Sequence, residues 1–242
     1  MIGVSPTVGF NIQTAPDPSK YSLTGWWKGA DFAANQILGT NSVGTSGARK
    51  LYDNSFGNAN LPTTGTFLNG IPVLNFTASF VWLETDAPAS SFLSANTGAM
   101  IVLCRTMTQT TNDPVTANNR MLLGIVGDYG GIYATTAPTV IASNTSAGPA
   151  EQNESTAYVV GDWHVVTWLH TGGKIYMRRN RNAWSAGTTS GGMFSLFNNI
   201  TTSNGIGNSI GYIAEIFTSD SFGQTECDDM AKYLSVKYAL GL

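Results

Sequence analysis

From residue 72 onward, short apolar runs alternate with stretches rich in Gly, Asn, Ser and Pro, and each run predicts a strand. Pro72-Val73-Leu74-Asn75-Phe76 and Phe80-Val81-Trp82-Leu83 are brief, aromatic and β-branched, with turn formers on either side. Ala99 to Thr106, apolar from Ala99 through Cys104, fits a central strand. Met121 to Val126, Gly131 to Thr136 and Thr139 to Ala142 read as further strands. The clearest hairpin joins Trp163–His170 to Lys174–Arg178 through Thr171-Gly172-Gly173, whose two glycines supply the positive φ of a tight turn. Ser209 to Phe217 is the last strand.

A single segment changes period. Cys227, Met230, Ala231, Leu234 and Tyr238 fall on one face of a 3.6-residue helix. Thr225 and Asp228 are spaced as a capping box, and Gly241 suits the stop. The turn-rich stretch 33–70 is long enough that it is expected to be functional or partly structured, the polar stretches 109–119 and 144–156 read as loops, and 185–192 as a flexible connection. Pro6, Pro16 and Pro18 mark residues 1–20 as an extended arm, leaving 21–242 as one domain. Many strands followed by one helix predict an all-β, two-sheet antiparallel sandwich with the C-terminal helix on its rim.

Composition narrows the function classes. Of 242 residues only 11% are charged, against roughly 25% in typical soluble proteins, and the net charge is −3. That balance excludes the basic stripe of a nucleic-acid binder. No apolar run approaches the length of a membrane span, so no membrane insertion is expected. The start Met1-Ile2-Gly3-Val4-Ser5-Pro6 has neither the basic nor the apolar part of a secretory signal. Cys104 and Cys227 make no metal signature and read as two buried thiols.

Several segments together resemble one family. Gly161-Asp162-Trp163-His164-Val165-Val166-Thr167-Trp168, the Gly-Gly hairpin and Lys174-Ile175-Tyr176-Met177-Arg178 are followed by Asn180. The chain closes on Gly211-Tyr212-Ile213-Ala214-Glu215-Ile216 and Tyr233-Leu234-Ser235-Val236-Lys237-Tyr238. These motifs resemble the concanavalin A-like lectin/glucanase superfamily, in its laminin G-like branch of phage virion and bacterial surface proteins. In that branch a short turn with a glycine follows the hairpin; here Arg179-Asn180-Arg181-Asn182 lacks it. The resemblance implies a jelly-roll sandwich that binds glycans, mediates adhesion or builds virions.

The hydrolytic members of the superfamily need two carboxylates, one to protonate the leaving oxygen and one to attack the sugar. Glu84-Thr85-Asp86 starts their Glu-x-Asp-x-x-Glu pattern, but Ala89 stands where its last acid belongs. Glu151 and Glu154 read as solvated loop acids, and Glu215 as a hydrogen-bonded structural carboxylate. No nucleophile elbow or phosphate loop occurs, and His164 and His170 lie too far along one strand to share a metal. No enzyme is therefore expected.

Sugar binding through stacking would draw on Trp26, Trp27, Trp82, Trp163, Trp168 and Trp184, most of which a β-sandwich spends on its core. Trp27 and Trp184, beside charged or small polar residues, are the candidate platforms, with Tyr129, Arg179 and Asn180 as accompanying contacts. Calcium is a candidate ligand through the resemblance, with Asp128 its best anchor and Asp53, Asp113 and Asp162 weaker ones; no other cofactor is expected. These readings point to a phage virion structural protein, a capsid decoration or tail-associated subunit. Its expected partners are other virion subunits, further copies of itself and host-surface glycans, and its location the virion surface or, alternatively, a bacterial cell surface or the extracellular space. The alternatives are a free-standing carbohydrate-binding module and a glycoside hydrolase.

Overall fold

β7 (Gly98–Arg105) is buried at every residue but its last. Side chains pointing to either face, Ile101 and Leu103 to one and Met100 and Val102 to the other, are fully shielded from solvent. An unbroken apolar run needs a packed layer on both sides, and the fold supplies both. In the computed structural model, residues 14–31, 38–40, 50–53, 63–76, 82–85, 97–105, 121–124, 131–134, 141–145, 148–153, 161–189, 201–203 and 211–242 are described.

β7 sits inside an eight-stranded antiparallel sheet. On one side β12 (Trp163–Thr171) is followed by β13 (Lys174–Arg179) and β14 (Thr188–Thr189). On the other lies β16 (Gly211–Ser219), whose outer edge is shared by two short strands. β5 (Ile71–Phe76) pairs with Gly211, Tyr212 and Ile213, and β1 (Gly25–Lys28) pairs with the stretch from Glu215 to Thr218. β4 (Thr63–Leu68) pairs with β5 and closes that side.

A second eight-stranded antiparallel sheet runs in the order β11 (Gly148–Asn153), β10 (Ile141–Thr145), β9 (Gly131–Ala134), β8 (Met121–Gly124), β15 (Thr201–Ser203), β6 (Trp82–Thr85), β3 (Lys50–Asp53) and β2 (Leu38–Thr40). β10 and β11 lie against β13 and β14 of the first sheet. The fold is all-β, with two antiparallel sheets and one C-terminal helix.

The predicted hairpin forms as read. Gly172 and Gly173 take φ of 58° and 70°, the pair of left-handed residues that a two-residue turn requires. The helix α1 (Gln224–Lys237) buries Cys227, Met230, Ala231 and Leu234, and Tyr238 follows them into the core. Its position corrects the sequence reading. It packs on the face of the first sheet, against Ile101, Leu103, Val165, Leu169 and Phe217, and does not sit at a rim. The apolar side chains on that face of β7 and β12 require the cover that the helix stripe provides.

Three further expectations are corrected. The helix starts after Gly223, whose amide N–H donates to Glu226 Oε2 at 2.9 Å, so Thr225 and Asp228 do not form the cap. The polar stretch 144–156, read as a loop, holds β11, which places Glu151 on a strand, while 33–70 is partly structured, with β2, β3 and β4. β14 falls inside the stretch read as flexible. The arm's residues 1–13 and the loop 109–119 lie outside the described residues.

Candidate functional site

The register of β16 contains one irregularity. Ile213 pairs with Cys104 and Glu215 with Leu103, so Ala214 is an extra residue, a bulge. Alternation alone would send Glu215 to the face that Ile213 occupies. The bulge turns it toward the helix instead, where its side chain is fully buried. Glu215 Oε1 accepts the indole N–H of Trp26, and Oε2 accepts Lys237 Nζ at 2.6 Å and Tyr238 Oη at 2.9 Å. A buried carboxylate requires such partners. This one ties β1, β16 and the end of α1 together, in the structural role expected of it, and its oxygens are taken up by the fold.

Arg178 on β13 is nearly buried, lies over the Trp184 ring at 4.5 Å and reaches Asp228 of the helix at 2.5 Å. Asn180 adopts φ 54°, which explains how the turn dispenses with the glycine usual in the resembling family: Asn tolerates the left-handed region better than other side-chain-bearing residues. Its amide donates to Val165 O at 2.6 Å and its Oδ1 accepts from Val165 N at 2.9 Å, so it prolongs the pairing of β13 with β12.

These placements bear on each candidate sugar contact. Trp27 is 1% exposed, its ring lying over Gly25, where a Cβ would fall 2.2 Å from it. Arg179 is 5% exposed. Neither presents a surface to a ligand, which corrects both assignments: the alternation of a strand with two covered faces puts both residues inside. Trp184 is half-buried beneath Arg178, and Asn180 is engaged with β12. Tyr129 and Asp128 lie outside the described residues, as does Asp113. Among the described residues no group of three His, Cys, Asp or Glu side chains is placed to hold a metal, and no helix is long and apolar enough to cross a membrane. His164 and His170 are both buried on the sheet face away from the helix, and burial lowers the pKa of His170.

A different set of residues comes together at one end of the first sheet. Trp163 pairs across β12 and β7 with Arg105, and Arg105 pairs across β7 and β16 with Tyr212. The three form a row on the helix-covered face, one alternation step beyond the row Val165, Leu103 and Glu215. Lys237 and Tyr238, at the end of α1, bind Glu215 in that neighbouring row, and Trp163, Arg105 and Tyr212 are half-buried. The two rings lie 6.4 Å apart at an interplanar angle of 37°, and the Arg105 guanidinium lies 5.8 Å from the centre of the Tyr212 ring. Two tilted rings with a guanidinium beside one of them can offer apolar surface for the C–H side of a sugar and donors for its oxygens. Trp163 belongs to the pool of tryptophans in the sequence; Arg105 and Tyr212 carry no sequence signal, because the row exists only once three strands are in register.

No protein-family model and no curated protein matches the chain. Solved structures do match. The Trypanosoma rangeli sialidase superposes with a TM-score of 0.59 at 8% identity over 87% of this chain and 32% of that one. Domain 4 of AbnA, a GH43 extracellular arabinanase from Geobacillus stearothermophilus, in complex with arabinotriose, gives 0.60 at 15% identity, covering 87% of this chain and 98% of the other. The binding domain of Paraclostridial Mosquitocidal Protein 1 gives 0.54 at 11% identity over 88% and 52%. The chain spans about a third of the length of the sialidase it matches. At these identities the likeness is one of fold. It overturns the expectation that the chain is not an enzyme, since the shared fold occurs in chains of a sialidase and an arabinanase.

Proposed function

We propose that this chain is a carbohydrate-recognition module of the lectin-like jelly-roll type, of the kind built into glycoside hydrolases, and that it holds glycans at the Trp163–Arg105–Tyr212 row. The observation that carries this reading is the row itself: two half-buried rings on one sheet face, held side by side by strand register. The resemblance of nearly the whole chain to a domain captured with arabinotriose supports it. Strands hold side chains more rigidly than loops, so the platform exists before the ligand arrives and little ordering opposes binding. On a particle surface, the setting that the closing motif of the sequence favours, the same row would anchor the particle to glycans.

A glycan array followed by calorimetric titration of the best oligosaccharide tests the proposal. Binding is expected, with at least a tenfold loss in Trp163→Ala and Tyr212→Ala variants that keep the native near-ultraviolet circular dichroism. No binding to any glycan, or unchanged binding by both folded variants, overturns it.

A further inference from the structure

Arg105 is set apart from the other basic groups on its sheet face. Arg178 has Asp228 at 2.5 Å, and Lys237 has Glu215 at 2.6 Å. Arg105, among the described residues, has no ion pair, which is what distinguishes it; its Nε, like that of Arg178, is buried without a hydrogen-bond partner. A buried guanidinium N–H left unsatisfied costs free energy, and a ligand acceptor would recover it. The guanidinium also has a residue without a side chain beside it. Gly161 borders it at φ +93°, and a Cβ there would come no closer than 3.9 Å to an Arg105 terminal nitrogen. Asp162 beside it is exposed and makes no pair with Arg105 among the described residues.

We propose that the ligand of this row is a sugar acid, with the Trp163 and Tyr212 rings stacking on its ring face and Arg105 receiving its carboxylate. The proposal rests on the reading of the row as a glycan site. The chemistry fits on two counts. A uronic or sialic acid carries its carboxylate at the ring edge, so one residue can stack on an aromatic face while its edge meets a guanidinium alongside. The planar fork of arginine matches a carboxylate with two parallel N–H···O bonds, which a hydroxyl group cannot duplicate. The half-buried setting shields the pair from solvent more than an open surface would.

The test titrates the full chain with trigalacturonic acid and with 3′-sialyllactose, each against its methyl ester. The ester keeps the ring and its hydroxyls, removes the charge and adds a methyl group at each carboxyl. In at least one pair the free acid is expected to bind about ten- to a hundredfold more tightly, the range of a hydrogen bond to a charged group. Arg105→Met should abolish that preference, with the acid losing far more affinity than the ester, and Arg105→Lys, which keeps the charge without the fork, should retain only part of it. Equal affinity for acid and ester in both pairs, or an acid preference that survives in a folded Arg105→Met variant, overturns the role of Arg105. If neutral oligosaccharides still bind in a Trp163-dependent way, the glycan site stands without it. Failure to bind any saccharide, charged or neutral, overturns both proposals.

Discussion

The indole N–H of Trp26 on β1 donates to the buried carboxylate of Glu215 on β16, and the other oxygen of that carboxylate holds Lys237 and Tyr238 at the end of the helix. One side chain thereby joins an edge strand, a central strand and α1. Truncating one member of a buried charged network leaves the others desolvated and unpaired, a cost of about 3–5 kcal/mol. Glu215→Ala is expected to lower the denaturant midpoint accordingly with an unchanged slope. Glu215→Gln, which keeps an acceptor for Trp26 but loses the charge facing Lys237, should fall between. An alanine variant as stable as the parent would show that the network contributes nothing.

Gly29 is buried for a steric reason. A Cβ at this position would lie 2.6 Å from Val73 Cα and 2.9 Å from both Leu74 N and Pro72 O. These are backbone atoms of β5 and cannot swing aside as a flexible side chain can. Gly29→Ala should therefore destabilise the fold by about 1–3 kcal/mol, the range of overpacked sites, despite adding only a methyl group. Thermal unfolding of the variant is the check, and a neutral result would mean that β5 does not pass where the structure puts it.

Asn180 tests a substitution between families. Its φ of 54° accepts glycine, but glycine lacks the Oδ1 that receives the Val165 amide. Asn180→Gly should cost about 1 kcal/mol, the net worth of one hydrogen bond. Asn180→Val should cost more, because a β-branched side chain is strained in the left-handed region. Chemical denaturation of the pair gives the order directly, and a valine variant at least as stable as the glycine variant would contradict the geometry.

How far the sequence could be read follows from how each element is stabilised. β7, the β12–β13 hairpin and α1 were legible because their own periodicity and turn residues specify them. β2, β3 and β4 were not: they are short, and they lie in a stretch crowded with Gly and Asn, where pairing with neighbours outweighs weak intrinsic preference. The seat of the helix on the sheet face was hidden too, since an amphipathic stripe shows that a surface is buried but not which surface. The structural role of Glu215 is readable from its apolar neighbours on the last strand. The candidate row was not, because nothing local to Arg105, Trp163 or Tyr212 shows that three distant strand ends align.

Cys104 and Cys227 are free and buried. Burial alone pushes the Cys104 thiol up to about 12 and raises that of Cys227 as well. Since the reactive species is the thiolate, neither should react with a disulfide reagent at pH 8 while the chain is folded. Two equivalents should react once guanidinium unfolds it, matching the two cysteines of the chain. Rapid labelling of the native protein would show that one of the two sites opens to solvent.

Tyr21 Oη donates to Asp229 Oδ2 at 2.7 Å, linking the segment before β1 to the helix. That hydrogen bond, with lesser contributions from burial and the negative charges of Asp229 and Glu226, raises the Tyr21 pKa to about 12. The unfolded chain releases this proton near pH 10. Below that pH both states keep it, and the contribution of the bond to stability is whole. Between pH 10 and 12 the unfolded chain ionises while the folded chain does not, so stability should fall as pH rises through this window. Tyr21→Phe removes both the bond and the titration. The stability difference between parent and variant should therefore be constant up to about pH 10 and shrink toward pH 12, as read from urea unfolding across the range. A difference that stays flat through pH 12 would separate Tyr21 from Asp229 in the folded chain.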